Sequence, residues 1–312
     1  MVRRLQTLWK EQGEAISCEE IQEAILNEEF NNGATAEQWL DSWRQEYAKF
    51  VEGHMRSLWI EAMQEGAKKV EEKIPGWQFD ITEPNVQLWI KQRSEQFVTN
   101  ATQTQLDGLE AVLRRVATGG MNADELSRVM PSMVGLNWWQ SMANLNRYRS
   151  TYDQLIKEGK SPQEAEKKAL EKAILYGQQQ HRYHGYSIAE KELVFVYNQG
   201  TLHAVKQAQN MGLLGTVVKR WCTAEDTQTC SICEKLRNTA IGIDEDFRYW
   251  EKGALLPINH GLKDPDSNLA PPVHPFCRCW IEFEEINSSG SETRFDEIKE
   301  IEGHARLIKS EG

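Results

Sequence analysis

Thr229-Cys-Ser-Ile-Cys233 and, further along the chain, His274-Pro-Phe-Cys277 place two pairs of metal-binding side chains in one short stretch of sequence. In the first pair, the spacing is that of a zinc knuckle, where a tight turn aims both sulfurs at one ion. In the second, His replaces the first Cys at the same spacing. Together Cys230, Cys233, His274 and Cys277 make the ligand set that structural zinc prefers, and a site with four protein ligands leaves no position for a water. Zinc in a structural role is therefore the expected cofactor. Cys279 is the alternate ligand: on a strand it shares a face with Cys277, but their spacing along that face makes joint ligation of one ion awkward unless the strand bends. Cys222 lies outside both knuckles and reads as a small buried hydrophobe. Asp226 and Arg278 flank the two halves and are candidates for an ion pair supporting the module.

The residues around the knuckles predict a small α+β module over 213–286. Thr216-Val-Val-Lys-Arg-Trp221 and Trp280-Ile-Glu-Phe283 read as strands, and Gly and Pro are frequent between them. Two short strands with long loops hold too little core without a staple. Upstream, the chain reads as almost wholly α. From Thr35, a plausible N-cap, Trp39, Trp43, Tyr47, Phe50, His54 and Leu58 recur at the spacing of one helical stripe, and Pro75-Gly76 stops the run. A second long helix starts at Pro84 and carries Val86, Ile90, Phe97, Ala101, Leu109 and Leu113 to Gly119-Gly120; its expected partner is the first. Asn122 opens a short helix, Trp138 to Glu158 forms another, and Ser161-Pro162 caps helical sequence that continues through His184 and Asn198 to Gln209. The expected fold class is mainly α: a long-helix N-terminal body (1–134), a second helical region (135–212), the zinc-stapled α+β module (213–286) and a flexible tail (287–312). In that tail Phe295, Ile298, Ile301 and Leu307 have the spacing of one helix on a partner.

At 312 residues, 40% hydrophobic and 27% charged, the chain has the composition of a soluble globular protein, and no apolar run is long enough to cross a bilayer. The opening MVRRLQTLWKEQGEAIS is broken by Lys10, Glu11 and Glu14 where a signal peptide needs an apolar core, so the chain reads as cytosolic. In a reducing compartment, clustered cysteines favour a metal over disulfides. The net charge of −11 opposes wrapping nucleic acid, yet residues 135–222 hold 12 Lys/Arg against 7 Asp/Glu. That basic middle is either a solvated helix face or a face turned toward DNA or an acidic protein. His181 and His184 lie three apart on a helix but lack an acidic or Cys partner at a fitting spacing. Phosphate-binding, dinucleotide-binding, zinc-protease and serine-hydrolase motifs are absent from the sequence.

Lys219-Arg-Trp-Cys-Thr-Ala-Glu-Asp226, then Thr229-Cys-Ser-Ile-Cys233, then Pro271-Pro-Val-His-Pro-Phe-Cys-Arg-Cys279, in that order, resemble the C-terminal signature of Mu F-like phage head morphogenesis proteins. Gly135-Leu136, Tyr148-Arg149, Ser161-Pro162 and Ile188 to Gly200 also look like that family, so the resemblance covers roughly residues 95–285. Where many members read I-A-R-T-E, this chain has Ile188-Ala-Glu-Lys-Glu192. The resemblance implies a minor protein of the phage head, in few copies, in the head interior or at the portal vertex, with a role in DNA packaging or ejection. Its implied partners are the portal protein, other head proteins and, through 135–222, packaged DNA, with no membrane involved; its implied location is the virion head, and the host cytoplasm during assembly. Residues and resemblance agree on a non-enzymatic protein. Two rivals stand beside it. One is a metal-dependent nuclease with His260 as general base, which needs a metal ligand on a following helix that the Pro-rich stretch 261–273 is poorly suited to form. The other is a zinc-binding adaptor outside any phage.

Overall fold

The computed structural model describes residues 1–26, 34–117, 123–224, 226–258 and 268–286. Gly119-Gly120, Asn122, His260 and the tail 287–312, on which several expectations fall, lie outside the described residues. The helices are α1 (Val2–Ala15), α2 (Cys18–Leu26), α3 (Ala34–Phe50), α4 (Arg56–Glu71), α5 (Pro84–Ala117), α6 (Ala123–Val129), α7 (Trp138–Lys157), α8 (Pro162–Asn210) and α9 (Ser231–Leu236). The strands are β1 (Thr216–Cys222), β2 (Ala240–Gly242), β3 (Arg248–Glu251), β4 (Ala254–Pro257) and β5 (Trp280–Ile286). The fold is thus mainly α with a small sheet-containing C-terminal region, as expected. Among the described residues, no helix is long and apolar enough to cross a membrane. The chain divides into two compact units, Met1–Ser57 with Leu88–Ala189, and Leu58–Gln87 with Glu190–Gly312.

In the first unit the aromatic stripe of α3 is buried as its spacing predicts, at Trp39, Trp43, Tyr47 and Phe50. Beyond Phe50 the expected position His54 is only half-buried while Val51 and Met55 go inside; from Leu58 on, where the chain belongs to the second unit, Leu58 is likewise half-buried while Trp59 and Met63 are buried. The cause is one π turn, Val51–Met55, between α3 and α4. Its wider turn adds a residue and moves the apolar stripe by one position. Thr35 lies within α3, which begins two residues earlier than the N-cap reading requires.

Trp9 of α1 organises the middle of this unit. Its indole N–H donates to the Tyr47 hydroxyl at 2.8 Å, and that hydroxyl donates to Gln105 Oε1 of α5, also at 2.8 Å. So α5 and the α3 stripe do meet. On its other side the Trp9 ring lies 5.5 Å from His181 and 5.6 Å from His184. Gly135 is required beneath it: the backbone φ is +82°, and a Cβ there would sit 2.1 Å from the indole. Helix α7 starts with a capping box, Asn137 accepting from the Gln140 N–H, and Ser161 caps α8 by accepting from the Glu164 N–H.

The second unit is built on a backbone-close crossing of α4 and α8. A Cβ on Gly66 would lie 1.9 Å from the Tyr197 carbonyl oxygen, and one on Gly200 would lie 2.0 Å from that of Met63. Only glycines allow this approach, and Thr201 Oγ1 donates across it to the Gly66 carbonyl at 2.8 Å. Next to the crossing stands an antiparallel sheet in the order β2-β1-β5, with β1 and β5 paired from Thr216↔Ile286 to Cys222↔Trp280. Its inward face carries Val217, Lys219, Trp221, Ile281 and Phe283, all buried. The outer edge of β5 is covered by side chains: Asn198 Oδ1 accepts from the Ile281 N–H at 2.9 Å, and Lys73 Nζ donates to the Phe283 carbonyl at 2.8 Å. A separate hairpin, β3-β4, turns at Lys252 and Gly253, both at positive φ. The alternation of the sequence reveals β1 and β5; β2, β3 and β4, at three or four residues each, are too short for it.

Candidate metal centre

Every residue expected as a ligand lies in the second unit. Cys230 is the N-cap of α9 and its sulfur accepts from the Cys233 N–H at 3.4 Å, so the start of one short helix presents both thiols on the same side. The second knuckle is a turn closed by the Cys277 N–H on the His274 carbonyl at 3.3 Å, with Phe276 at φ +62°. The structure brings the two knuckles together: Cys233 Sγ is 3.7 Å from Cys277 Sγ and 4.0 Å from His274 Nε2. The candidate ligand atoms fall into two groups, Cys230–Cys233–His274 and Cys233–Cys277–Cys279, each within 4.8 Å. Cys233 is common to both. Cys279 enters the second group because residues 277–279 precede β5 and do not run as a strand, so the sidedness argument from an extended chain does not apply there.

The chemistry of this cluster is set by burial. Cys233, Cys277 and Cys279 are all buried and belong to the same apolar core as Trp221, Phe247 and Ile281. Contacts from the Cys233 and Cys279 thiols hold Cys277 far below the usual thiol range, whereas its contact with Cys277 pushes Cys233 far above it. A second thiolate 3.7 Å from the first in a low-dielectric core is strongly repelled, so these thiols cannot all ionise without a counter-charge. A cation removes that repulsion, so binding one and releasing protons are the same event. His274 is oriented for the task. Its Nδ1 is 2.7 Å from the Pro275 carbonyl, which can only accept, so a neutral ring there carries its proton on Nδ1 and turns Nε2, 4.0 Å from Cys233 Sγ, toward the cluster as the acceptor.

Arg278 reaches back to Asp226 and donates to both carboxylate oxygens, at 2.6 Å to Oδ1. The Asp226 carboxyl is held below its usual range first by the Gln228 N–H, at 3.0 Å, and then by Arg278. Cys222 is half-buried rather than enclosed, and burial raises its thiol. His181 and His184 join no group of ligands among the described residues. Burial lowers both, His184 to about 4, so they are neutral rings packed on Trp9. Two buried polar residues of this unit were not singled out from sequence, Asn198 and Lys219. The available signal was a polar side chain inside the apolar runs Val194-Phe-Val-Tyr-Asn198 and Val217-Val-Lys219.

Comparison with known proteins gives one result that bears on this geometry. A family model described as "Phage Mu protein F like protein" matches residues 146–282, a span that holds all five candidate ligands. No curated protein and no solved structure matches the chain. Residues 146–282 are thus similar to the Phage Mu protein F-like family, in agreement with the resemblance carried by the signature residues.

Proposed function

We propose that the protein is a non-catalytic minor component of a tailed-phage head, its C-terminal module stapled by one zinc ion. The observation that carries this reading is a pair of ligand groups that share Cys233, one thiol–imidazole and one all-thiol, inside the family-matched segment. Zinc–sulfur bonds of about 2.3 Å at tetrahedral angles set two sulfurs about 3.8 Å apart, and Cys233 and Cys277 stand at 3.7 Å. Cys230, Cys233, His274 and Cys277 are the proposed ligands, with Cys279 the alternate. The ion neutralises thiolates that the core cannot otherwise hold and cross-links two loops; four protein ligands leave no seat for substrate or water.

Attachment to the head fits the surface of the first unit. Trp138 and Trp139 stack with ring centroids 3.8 Å apart while 44% and 67% exposed, an arrangement favoured where proteins meet. Their partners are the portal protein or other head proteins. The basic stretch 135–222 gives packaged DNA a salt-sensitive contact and links the protein to packaging or ejection. Mass spectrometry of purified particles, compared with particles from a deletion strain, tests the reading. A low-copy virion protein is expected; absence from mature particles, or abundance equal to the major capsid protein, overturns it.

A further inference from the structure

Asn198 of α8 is completely buried, and its amide meets the chain on both sides of the second knuckle. Nδ2 donates to the carbonyl of Val194 in its own helix at 2.9 Å and to that of Pro271 at 3.4 Å, while Oδ1 accepts from the Ile281 N–H at 2.9 Å. Only this orientation of the amide satisfies all three, because carbonyls must accept and an N–H must donate. Pro271 lies three residues before His274, and Ile281 lies two residues after Cys279. One side chain therefore pins both ends of the segment that carries His274, Cys277 and Cys279. Its own position is fixed by the Gly66–Gly200 crossing, two residues further along α8.

We propose that Asn198 is a positioning residue of the metal centre: it holds the second knuckle on α8 in the conformation that the ion requires, and so sets metal affinity without touching the metal. The inference rests on the zinc reading of the cluster. Without the three bonds, segment 271–281 would have to be ordered at the expense of binding, and the Pro271 carbonyl and Ile281 N–H would lose their buried partner. Thr201, on the next turn of α8, provides the contrast, since its hydroxyl bonds only to Gly66 across the helix crossing.

The test uses the full-length chain and zinc ions in competition with a chromogenic chelator. Stoichiometric zinc on the wild-type protein establishes the site independently; a wild-type protein that binds none overturns the zinc reading and this inference with it. With wild-type binding in hand, Asn198→Ala is expected to lose about ten-fold or more in zinc affinity. Thr201→Val, which removes a buried hydrogen bond of similar length, is expected to lower the melting temperature and leave zinc affinity unchanged. Wild-type affinity in Asn198→Ala overturns the proposal while leaving the zinc site standing, and so do equal losses in both variants. Should Asn198→Ala fail to fold, hydrogen exchange on the wild-type protein decides. Removing zinc should speed exchange of the Ile281 amide, and equal protection with and without zinc overturns the proposal.

Discussion

The two units bury interiors of different kinds. The first closes around large apolar rings: Trp9, Trp43 and Tyr47 are almost fully enclosed, the polar atoms of Trp9 and Tyr47 are led into a short Trp9–Tyr47–Gln105 chain, and the two histidines packed on Trp9 are kept neutral by burial. The second unit also has large rings, Trp59 and Trp221, but around the knuckles its interior is made of three thiols. Those thiols are acceptable either as weakly packed neutral groups or as thiolates around a cation. On the proposed reading, packing holds the first unit, whereas the knuckle region of the second depends on a bound cation.

The sharpest way to break that contrast is to remove the metal. Chelation, or Cys233→Ser, which deletes the sulfur shared by both ligand groups, is expected to unfold residues 213–286 while the helical circular dichroism of the body persists. Structural zinc contributes on the order of 10 kcal/mol in small modules, more than such a sheet can replace by packing. Limited proteolysis reads the result. A chelated protein whose 213–286 segment resists cleavage as before shows that the module stands on its own core, and the difference between the units disappears.

A smaller effect sharpens the comparison from inside the sheet. Lys219 occupies a core position of β1, fully buried, with Nζ donating to the Ile243 carbonyl at 2.9 Å and lying 5.4 Å from the Phe247 ring centroid. Burial first, and then the neighbouring Lys206, lower it to about 8. Below pH 8 both folded and unfolded chains carry the charge. Between about 8 and the ordinary lysine value near 10.4, only the unfolded chain does, so it binds more protons and stability rises with pH. Urea unfolding of zinc-loaded protein, followed by tryptophan fluorescence, should show a gain on the order of 1–3 kcal/mol from pH 7.5 to 10 that Lys219→Met lacks. An identical pH profile in the two proteins contradicts the assignment.

How much of this was legible in the sequence follows the same division. The stripe Trp39-Trp43-Tyr47-Phe50 and the cap at Ser161 are local signals, and the structure follows them. The π turn at Val51-Glu-Gly-His-Met55 has no residue pattern of its own and emerges only when Met55 and Trp59 take the buried positions. The knuckle spacing was readable because two ligands for one ion need a fixed separation along the chain, a demand of coordination chemistry and not of one fold. The approach of Cys279 was not readable, since it depends on the bend around Phe276 that keeps residues 277–279 out of β5. Nor was the Gly66–Gly200 crossing, because two glycines far apart in sequence give no sign that they meet.

The smallest expected effect concerns Asp226 and Arg278, which join the two knuckles at the surface. Their side chains are 38% and 44% exposed, so water and salt screen the ion pair and little stability is expected from it. Asp226 has a second task. Its Oδ1 accepts from the Gln228 N–H, and its carbonyl accepts from the Thr229 N–H at 3.0 Å, shaping the turn that leads into Cys230. The two tasks separate by substitution. Asp226→Asn keeps an acceptor for Gln228 and loses the charge, so it should behave like Arg278→Ala, with a slight loss of zinc affinity that vanishes at high salt. Asp226→Ala loses both, and its larger defect should persist at high salt, because a hydrogen bond from a backbone N–H to a side-chain oxygen within a turn is little screened. Equal, salt-dependent losses in all three variants would make the ion pair, and not the turn, the link between the knuckles.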